Sequence, residues 1–105
     1  MQILRRPSAL FLLPLLASAC LPARADLALA TSRNCMACHA MDRKVVGPSY
    51  KAVAEKYAGQ NVTDKLASKI VKGGAGVWGP VPMPANAQVS EAESKRLAAW
   101  ILGLK

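Results

Sequence analysis

Five consecutive residues, Cys35-Met36-Ala37-Cys38-His39, constrain this chain of 105 residues more than any other segment. The pattern C-x-x-C-H is the signal for covalent attachment of c-type haem. The two thiols add to the two vinyl groups of the porphyrin, and the two-residue gap matches the spacing of those groups. The following histidine can then bind the iron from one face, which creates a one-electron redox centre. A chain that attaches haem here has to fold around a large, flat, apolar ring.

Two other chemistries use the same residue types. A C-x-x-C pair is the redox dithiol of thioredoxin-like proteins, but there it accompanies a βαβ pattern that this sequence lacks. Two cysteines and one histidine can also bind zinc, although a structural zinc site needs a fourth ligand and no Cys or His follows His39. Both alternatives stay open on the motif alone, and haem attachment is the favoured interpretation.

Residues 1–25 have the features of a secretory signal peptide. Two arginines near the start form a positive region, and residues 10–21 are mainly apolar. Ala23-Arg24-Ala25 is an A-x-A cleavage signal, so we predict that this segment is removed and that residues 26–105 form the mature domain. The apolar run is too short for a membrane-spanning helix, and no later segment is long enough. Bacteria attach c-type haem outside the cytoplasmic membrane, so export and the motif together predict a periplasmic protein.

Cys20, the third cysteine, lies inside the predicted signal peptide. We therefore expect it to be removed with that segment. The preceding Leu16-Ala17-Ser18-Ala19 resembles a lipobox in which the leucine is one position too far upstream. A lipid anchor at Cys20 is thus a minor alternative, which would hold the protein on the membrane. An uncleaved apolar anchor is a further alternative.

The predicted mature chain has the size of one small domain and an excess of positive charge. Three of the 14 Lys and Arg residues lie in residues 1–25, so residues 26–105 carry 11 basic and six acidic side chains, a net charge of +5. This charge favours encounters with acidic protein surfaces, and it also serves simply to keep a protein soluble. The basic residues are dispersed and no nucleic-acid-binding motif occurs, which argues against a nucleic-acid partner.

The mature chain has the pattern of short helices separated by Gly and Pro loops, with no strand pattern, so we predict an all-α fold of about four helices. The first helix is predicted from Asp26 to about Cys38. The expected N-cap residues of the later helices are Ser49, Asn61 and Ser90, the last with Glu93 in an S-x-x-E capping box. The glycines expected to end helices are Gly59, Gly73 and Gly74. Each helix is amphipathic, so we expect the helices to pack around the haem.

Met83, in the segment Trp78-Gly79-Pro80-Val81-Pro82-Met83-Pro84, is the candidate second iron ligand. A thioether is soft and neutral, and Met/His ligation raises the reduction potential. The flanking prolines stiffen the loop that presents it. Met36 and Met41 lie too close to His39 in sequence to reach the opposite face of the ring. Because His39 is the only histidine, ligation by two histidines of one chain is excluded; lysine ligation, an open iron site and a core-filling role for Met83 remain alternatives.

Essentially from residue 30 to 105, the sequence resembles the small bacterial class I cytochromes c of the cytochrome c-551 (cytochrome c8) family. The matching stretches are CMACHAMDRKVVGPSYKAVAEKYAGQ, WGPVPMP and SEAESKRLAAWILGLK. The resemblance implies the class I cytochrome c fold, in which the first and last helices cross and one covalently attached haem c is held between His39 and Met83.

The resemblance also implies three supporting contacts. The Pro48 carbonyl would accept the ring N–H of His39 and fix its orientation. Trp78 would donate its indole N–H to a haem propionate, and Asn86 would donate its side-chain amide toward the sulfur of Met83. The alternatives are ordinary roles: Pro48 and Asn86 as turn residues, and Trp78 as a packing residue.

Three positions depart from the family pattern. Asn34 stands before the first cysteine, where glycine is common, and asparagine tolerates unusual backbone angles. Ala30 stands near the usual position of an aromatic residue that meets the last helix, so Trp100 would face a smaller neighbour. We expect a loose helix crossing there, and a higher melting temperature for Ala30→Phe. Lys69 lies near the position of a propionate-binding arginine, and we assign it no role because lysine is a poorer bidentate partner.

These expectations describe a periplasmic monohaem electron carrier with no turnover of its own. With His39 and Met83 filling both axial positions, the iron would cycle between two oxidation states. Partners would meet an exposed haem edge near Arg43-Lys44-Val45-Val46 in brief, small encounters. We expect a monomer, and the resemblance implies a membrane respiratory complex as donor and a periplasmic reductase, oxidase or peroxidase as acceptor. The alternatives are an enzyme or gas sensor in which Met83 dissociates, and a non-haem thiol or zinc protein.

Overall fold

A computed structural model describes residues 8–15 and 22–105 of the chain. Residues 8–15 are exposed and lack regular structure. The other residues up to position 21 lie outside the described residues. They include Cys20, two of the three arginines of the predicted signal peptide, and the end of its apolar run. The prediction that residues 1–25 are cleaved therefore stays a prediction.

Four α-helices and one 3₁₀ turn make up the regular structure of the described residues, which contain no strand. The helices are α1 (Pro22–Ser32), α2 (Tyr50–Lys56), α3 (Thr63–Lys72) and α4 (Glu91–Leu102), and the 3₁₀ turn is Cys35–Ala37. Helix α4 packs against each of the other three helices. The all-α prediction with four helices is confirmed.

Helix α1 ends earlier than the sequence pattern predicts. Asn34 has a left-handed backbone (φ 66°, ψ 20°), which breaks the helical hydrogen-bond ladder after Ser32. The C-x-x-C segment then forms its own short turn, in which the N–H of Cys38 donates to the carbonyl of Cys35 at 3.2 Å. The predicted continuous helix to Cys38 is therefore wrong, and the expectation that Asn34 tolerates unusual backbone angles is confirmed.

The caps of α2 and α3 differ in how well the sequence predicts them. The Ser49 hydroxyl accepts the N–H of Ala52 at 3.0 Å, so the predicted N-cap of α2 is confirmed. Asn61 does not cap α3, because the helical ladder begins one residue later, at the carbonyl of Val62. Asp64 instead places a negative charge in the first turn of α3, where the helix dipole favours it.

Helix α4 begins with the predicted capping box, and two ion pairs tie it to α1 and to Arg33, the residue that follows α1. Ser90 Oγ accepts the N–H of Glu93, and the Glu93 carboxylate accepts the N–H of Ser90, both at 3.1 Å. Arg33 donates to the same carboxylate through Nε at 3.0 Å and Nη2 at 2.7 Å, and these bonds lower the pKa of Glu93. Nearer the other end of α1, Arg96 Nη2 donates to Asp26 Oδ1 at 3.0 Å.

The contact between α1 and α4 is closed rather than loose. Ala30 on α1 and Ala98 on α4 are both 0% exposed and belong to one core cluster with Leu97 and Trp100. Met36 packs against the same cluster from the C-x-x-C turn. The expectation of a loose crossing at Ala30 is therefore wrong, because the small side chain leaves no solvent-accessible gap.

This burial reverses the expected effect of Ala30→Phe. A phenyl ring at a position without free space forces neighbouring side chains from their preferred conformations, so we expect the free energy of unfolding to fall by about 1–3 kcal/mol. The melting temperature should fall by about 4 °C or more. Ala28→Phe is the matched control, because Ala28 is exposed on the same helix and should change stability little. A melting temperature that rises for Ala30→Phe would show that the crossing has room after all.

Candidate haem-binding site

One large cavity of about 510 Å³ opens beside α2, α3 and α4. Its volume lies in the range typical of small-molecule and cofactor pockets, and its lining is mainly apolar. Six predicted site residues line it: Cys35, Cys38, His39, Pro48, Trp78 and Met83. The seventh, Asn86, does not line the cavity. The fold thus brings together residues that are up to 48 positions apart in sequence.

The His39 ring is oriented by a hydrogen bond to the backbone. Its Nδ1 lies 2.7 Å from the carbonyl oxygen of Pro48. Because a carbonyl can only accept, Nδ1 is the donor in this bond, and Nε2 is the ring nitrogen left to bind a metal. The ring also stacks on Tyr50, with ring centroids 5.4 Å apart and an interplanar angle of 26°. The contact between His39 and Pro48 is the one that the family resemblance implies.

Backbone hydrogen bonds fold residues 38–51 tightly around this histidine. The Cys38 carbonyl accepts the N–H groups of Val46 at 3.2 Å and Gly47 at 2.8 Å. The Tyr50 N–H donates to the carbonyl of Ala40 at 2.9 Å. Gly47 lies so close to the histidine that a Cβ at this position would come within 2.5 Å of His39 Cε1. Only glycine therefore fits beside the ring.

Tyr50 is a site residue that the sequence interpretation used only as part of a helix. Its side chain is 4% exposed, lines the cavity, and packs edge-on against Trp100 with centroids 5.1 Å apart. Its hydroxyl is buried and has no hydrogen-bond partner among the described residues. Burial raises the pKa of this hydroxyl, and a negative charge on the Cys35 thiolate would raise it further, so the hydroxyl stays protonated. A buried hydroxyl without a partner at a cavity wall is consistent with a bound group that belongs in the cavity.

The two cysteines are free thiols and both are partly buried; Cys35 begins the 3₁₀ turn and Cys38 directly follows it. Both face the same cavity as the histidine that follows them. Burial raises the pKa of the Cys35 thiol.

Met83 is held at the cavity by its backbone. Its N–H donates to the carbonyl of Gly74 at 2.7 Å, and its carbonyl accepts the N–H of Gly74 at 3.0 Å. This antiparallel pair joins the Met83 segment to the residues that follow α3. Gly73, the residue before Gly74, has φ +74°. A Cβ at position 73 would collide with the Met83 carbonyl and come within 2.9 Å of the Ala85 nitrogen. The glycines that end α3 thus also seat the methionine segment.

Asn86 joins the same segment to α3 but has a different partner from the one that the resemblance implies. Its Nδ2 donates to the Ile70 carbonyl at 2.8 Å and more weakly to Pro84 at 3.4 Å, and its N–H donates to Val71 at 3.0 Å. No hydrogen bond to the Met83 sulfur is present among the described residues. The physical reason is that carbonyls in the last turn of a helix lack helical partners and are better acceptors than a thioether.

The mouth of the cavity is apolar with basic residues around it. The exposed apolar side chains that line it are Val46, Val77, Trp78 and Val81, each between 43% and 61% exposed, and Val45, next to Val46 in sequence, is 45% exposed. Lys44 and Lys69 line the cavity as well, and Lys56 Nζ lies 5.2 Å from the centroid of the Trp78 ring. Neither the Lys56 contact nor the position of Lys69 in the cavity wall is predicted from the sequence, because both depend on how α2 and α3 meet the Trp78 segment.

The residues at the cavity fit a covalently attached haem. Cys35 and Cys38 supply two thiols at the two ends of one short segment, His39 supplies the ring nitrogen Nε2, and Met83 supplies a thioether on a separate segment. The apolar walls suit a porphyrin. In the described ranges 8–15 and 22–105, no helix is both long enough and apolar enough to cross a membrane.

Comparisons with known proteins agree with this donor set. A protein-family model described as "Cytochrome c" matches residues 27–105. Cytochrome c-552 of Hydrogenobacter thermophilus is 56% identical over 78 residues, which cover 73% of this chain and 79% of that protein. Cytochrome c-551 of Pseudomonas aeruginosa is 53% identical over 75 residues, or 70% and 71% of the two chains. The crystal structure of Nitrosomonas europaea cytochrome c552 matches with a TM-score of 0.72 and 51% identity, over 75% of this chain and 99% of that chain.

The fold and the site define a class I, haem-binding electron-transfer protein. The chain belongs to the cytochrome c family. Its cofactor is covalently bound haem c, and Cys35-Met36-Ala37-Cys38-His39 fits the attachment motif. The predicted family, fold class and cofactor are confirmed.

Proposed function

We propose that this protein is a periplasmic monohaem electron carrier whose iron is bound by His39 and Met83. Bound haem supplies a one-electron couple. Cys35 and Cys38 hold the ring covalently, so it is not lost between encounters. The observation that carries the proposal is the placement of the free Nε2 of His39 and the thioether of Met83 on one cavity.

The surrounding residues keep both ligands in place. Pro48 accepts the Nδ1 proton of His39, which fixes the ring and makes Nε2 a better ligand. The paired backbone of Gly74 and Met83 presents the methionine with little loss of conformational entropy on binding. We propose that Trp78 donates its indole N–H to a haem carboxylate at the cavity mouth. Asn86 supports the methionine segment through its bonds to α3. We propose that its amide donates to the Met83 sulfur only in the haem-loaded protein.

With two protein ligands, the iron has no free position for a substrate. The protein then transfers electrons without binding or converting a small molecule, which is why we propose a carrier and not an enzyme. A fixed pair of ligands in both oxidation states also keeps the structural change on electron transfer small.

Electron partners would meet the apolar mouth of the cavity. Val45 and Val46 on one side and Val77 and Val81 on the other are exposed there, and exposed apolar patches mark contact surfaces. Arg43 and Lys44 beside them favour partners with acidic rims. We propose a respiratory membrane complex as donor and a periplasmic reductase, oxidase or peroxidase as acceptor, with the carrier acting as a monomer. The A-x-A signal that ends at Ala25 supports export to the periplasm.

Replacing Met83 with alanine tests the ligand set. In cells competent for haem attachment, the unmodified protein should give a c-type reduced absorption spectrum and, when oxidised, a weak sulfur-to-iron band in the near infrared. Met83→Ala should keep the c-type spectrum, lose the weak band, and lower the reduction potential by on the order of 0.1 V or more.

Met41→Ala is the matched control, because Met41 packs against the core from the histidine side and should keep the band. A band that survives in Met83→Ala would refute methionine ligation by this residue. A c-type spectrum without the band in the unmodified protein, with rapid carbon monoxide binding, would favour a ligand-binding iron instead. A protein without haem bands would overturn the whole proposal.

A further inference from the structure

Residues 75–82, here called the Trp78 loop, have few polar ties to the rest of the fold. The paired backbones of Gly74 and Met83 hold the two ends of the loop. Among the described residues, the only hydrogen bond within the loop joins the N–H of Gly76 to the carbonyl of Gly79, at 3.1 Å. No hydrogen bond or ion pair in the described part of the chain links the loop to another element.

The Trp78 loop nevertheless forms one wall of the haem cavity. Val77, Trp78 and Val81 line the cavity, although each is more than two-fifths exposed. Gly76 and Gly79 have φ of +92° and +112°, with no atom near their Cβ positions, so neighbouring side chains do not confine the backbone there. A contact beyond the loop's own backbone is needed to keep the indole at the mouth.

Lys56, the last residue of α2, makes such a contact with the loop. Lys56 Nζ lies 5.2 Å from the centroid of the Trp78 ring, within the distance of a cation–π interaction. Helix α2 is a firm base for it, because Tyr50, Val53 and Ala54 bury one face of that helix. The Lys56 ammonium forms no ion pair among the described residues, so no carboxylate competes with the ring for it.

We propose that Lys56 is a positioning residue that latches the Trp78 loop over the haem. The cation occupies the face of the indole and leaves the N–H at the ring edge free to donate to an anion in the cavity. This inference rests on the proposed function, in which that anion is a haem carboxylate.

The test measures the motion of the Trp78 indole N–H by ¹⁵N relaxation in the reduced, haem-loaded protein. Lys56→Met removes the charge but keeps an unbranched side chain. It should raise the undocked fraction of the loop about two- to fivefold, because this factor corresponds to the free energy of an exposed cation–π contact. We expect an order parameter near the rigid value of about 0.85 in the unmodified protein and a reproducibly lower value in Lys56→Met. Lys56→Arg keeps a cation over the ring and should restore the rigid value.

Lys72→Met is the matched control, because Lys72 is also an exposed lysine at the last position of a helix but has no contact with an aromatic ring. The indole of Trp100, buried in α4, serves as the internal reference and should stay rigid in every variant. An order parameter of Trp78 that is unchanged in Lys56→Met, or equally reduced in Lys72→Met, would overturn the latch.

The latch and the proposed function fail in different ways. The absorption spectrum and the sulfur-to-iron band report haem attachment and methionine ligation, whatever Lys56 does. If both are intact and Trp78 stays rigid in Lys56→Met, the latch alone is refuted. If Trp78 loses order in Lys56→Met but its N–H resonance shows no hydrogen bond to the haem, the latch is supported and the proposed role of Trp78 is refuted.

Discussion

An alanine at position 73 is expected to displace Met83 from the cavity and to lower the free energy of unfolding by about 2–4 kcal/mol. Gly73 has φ +74° and ψ −175°, a backbone conformation that essentially only glycine adopts. The added Cβ would also collide with the Met83 carbonyl and crowd the nitrogen of Ala85. The backbone pair that seats the methionine has to shift, so the sulfur-to-iron band should weaken or disappear.

Gly59→Ala separates the two causes of this effect. Gly59 has nearly the same φ, +75°, but no atom lies within 4 Å of its Cβ position. The control therefore carries backbone strain without a collision, and it should keep the near-infrared band. Denaturant unfolding of both variants, followed by haem absorption, gives the two free energies. Equal losses of stability, or an intact band in Gly73→Ala, would show that the Met83 segment does not depend on Gly73.

The second large effect is expected on the histidine side, for Gly47→Ala. The new methyl group would lie 2.5 Å from Cε1 and 2.9 Å from Nδ1 of His39, and backbone bonds to Cys38 hold position 47 in place. The ring has to move, which strains the 2.7 Å bond to Pro48. We expect a loss of about 2–4 kcal/mol in unfolding free energy, from overpacking together with the weakened hydrogen bond.

Gly103→Ala is a suitable control for Gly47→Ala. A Cβ at position 103 would meet only the carbonyls of Ala99 and Trp100, at 3.4 and 3.5 Å, which are ordinary contact distances. Its stability should change by well under 1 kcal/mol. In the reduced protein, the ring N–H resonance of His39 should shift in Gly47→Ala and not in Gly103→Ala. A Gly47→Ala protein as stable as the control, with an unshifted resonance, would contradict the close packing of glycine against the imidazole.

The parts of the fold that are predictable from sequence are those that depend on neighbouring residues. The Ser49 cap, the Ser90 capping box and the glycine end of α3 each involve groups within a few positions of one another, and all three are present. The attachment motif is equally local, because the chemistry of two thiols and a histidine needs a fixed spacing along one turn.

The predictions that fail depend on residues that are distant in sequence. Whether Ala30 leaves a gap is decided by α4, more than 60 positions away, and the pattern of α1 contains no information about it. The bond from Asn86 to the Ile70 carbonyl is also not predicted from the sequence, because this carbonyl at the end of α3 becomes its acceptor only once the chain has turned back on itself. The left-handed Asn34 is an intermediate case. Its residue type indicates that unusual backbone angles are tolerated at this position, but it does not indicate where α1 ends.

The two ion pairs that tie α4 to α1 and to Arg33 have a consequence for the order in which the chain folds. They join residues 60 and 70 positions apart, whereas the bonds around His39 and those around Met83 close loops of at most 16 residues. Short loops lose less chain entropy on closing, and local contacts form faster than distant ones. We therefore expect the two ligand-bearing segments to take shape early and largely independently of each other. The terminal helices would then pair late in folding. Their pairing would fix the His39 segment and the Met83 segment relative to each other after each has formed its local structure.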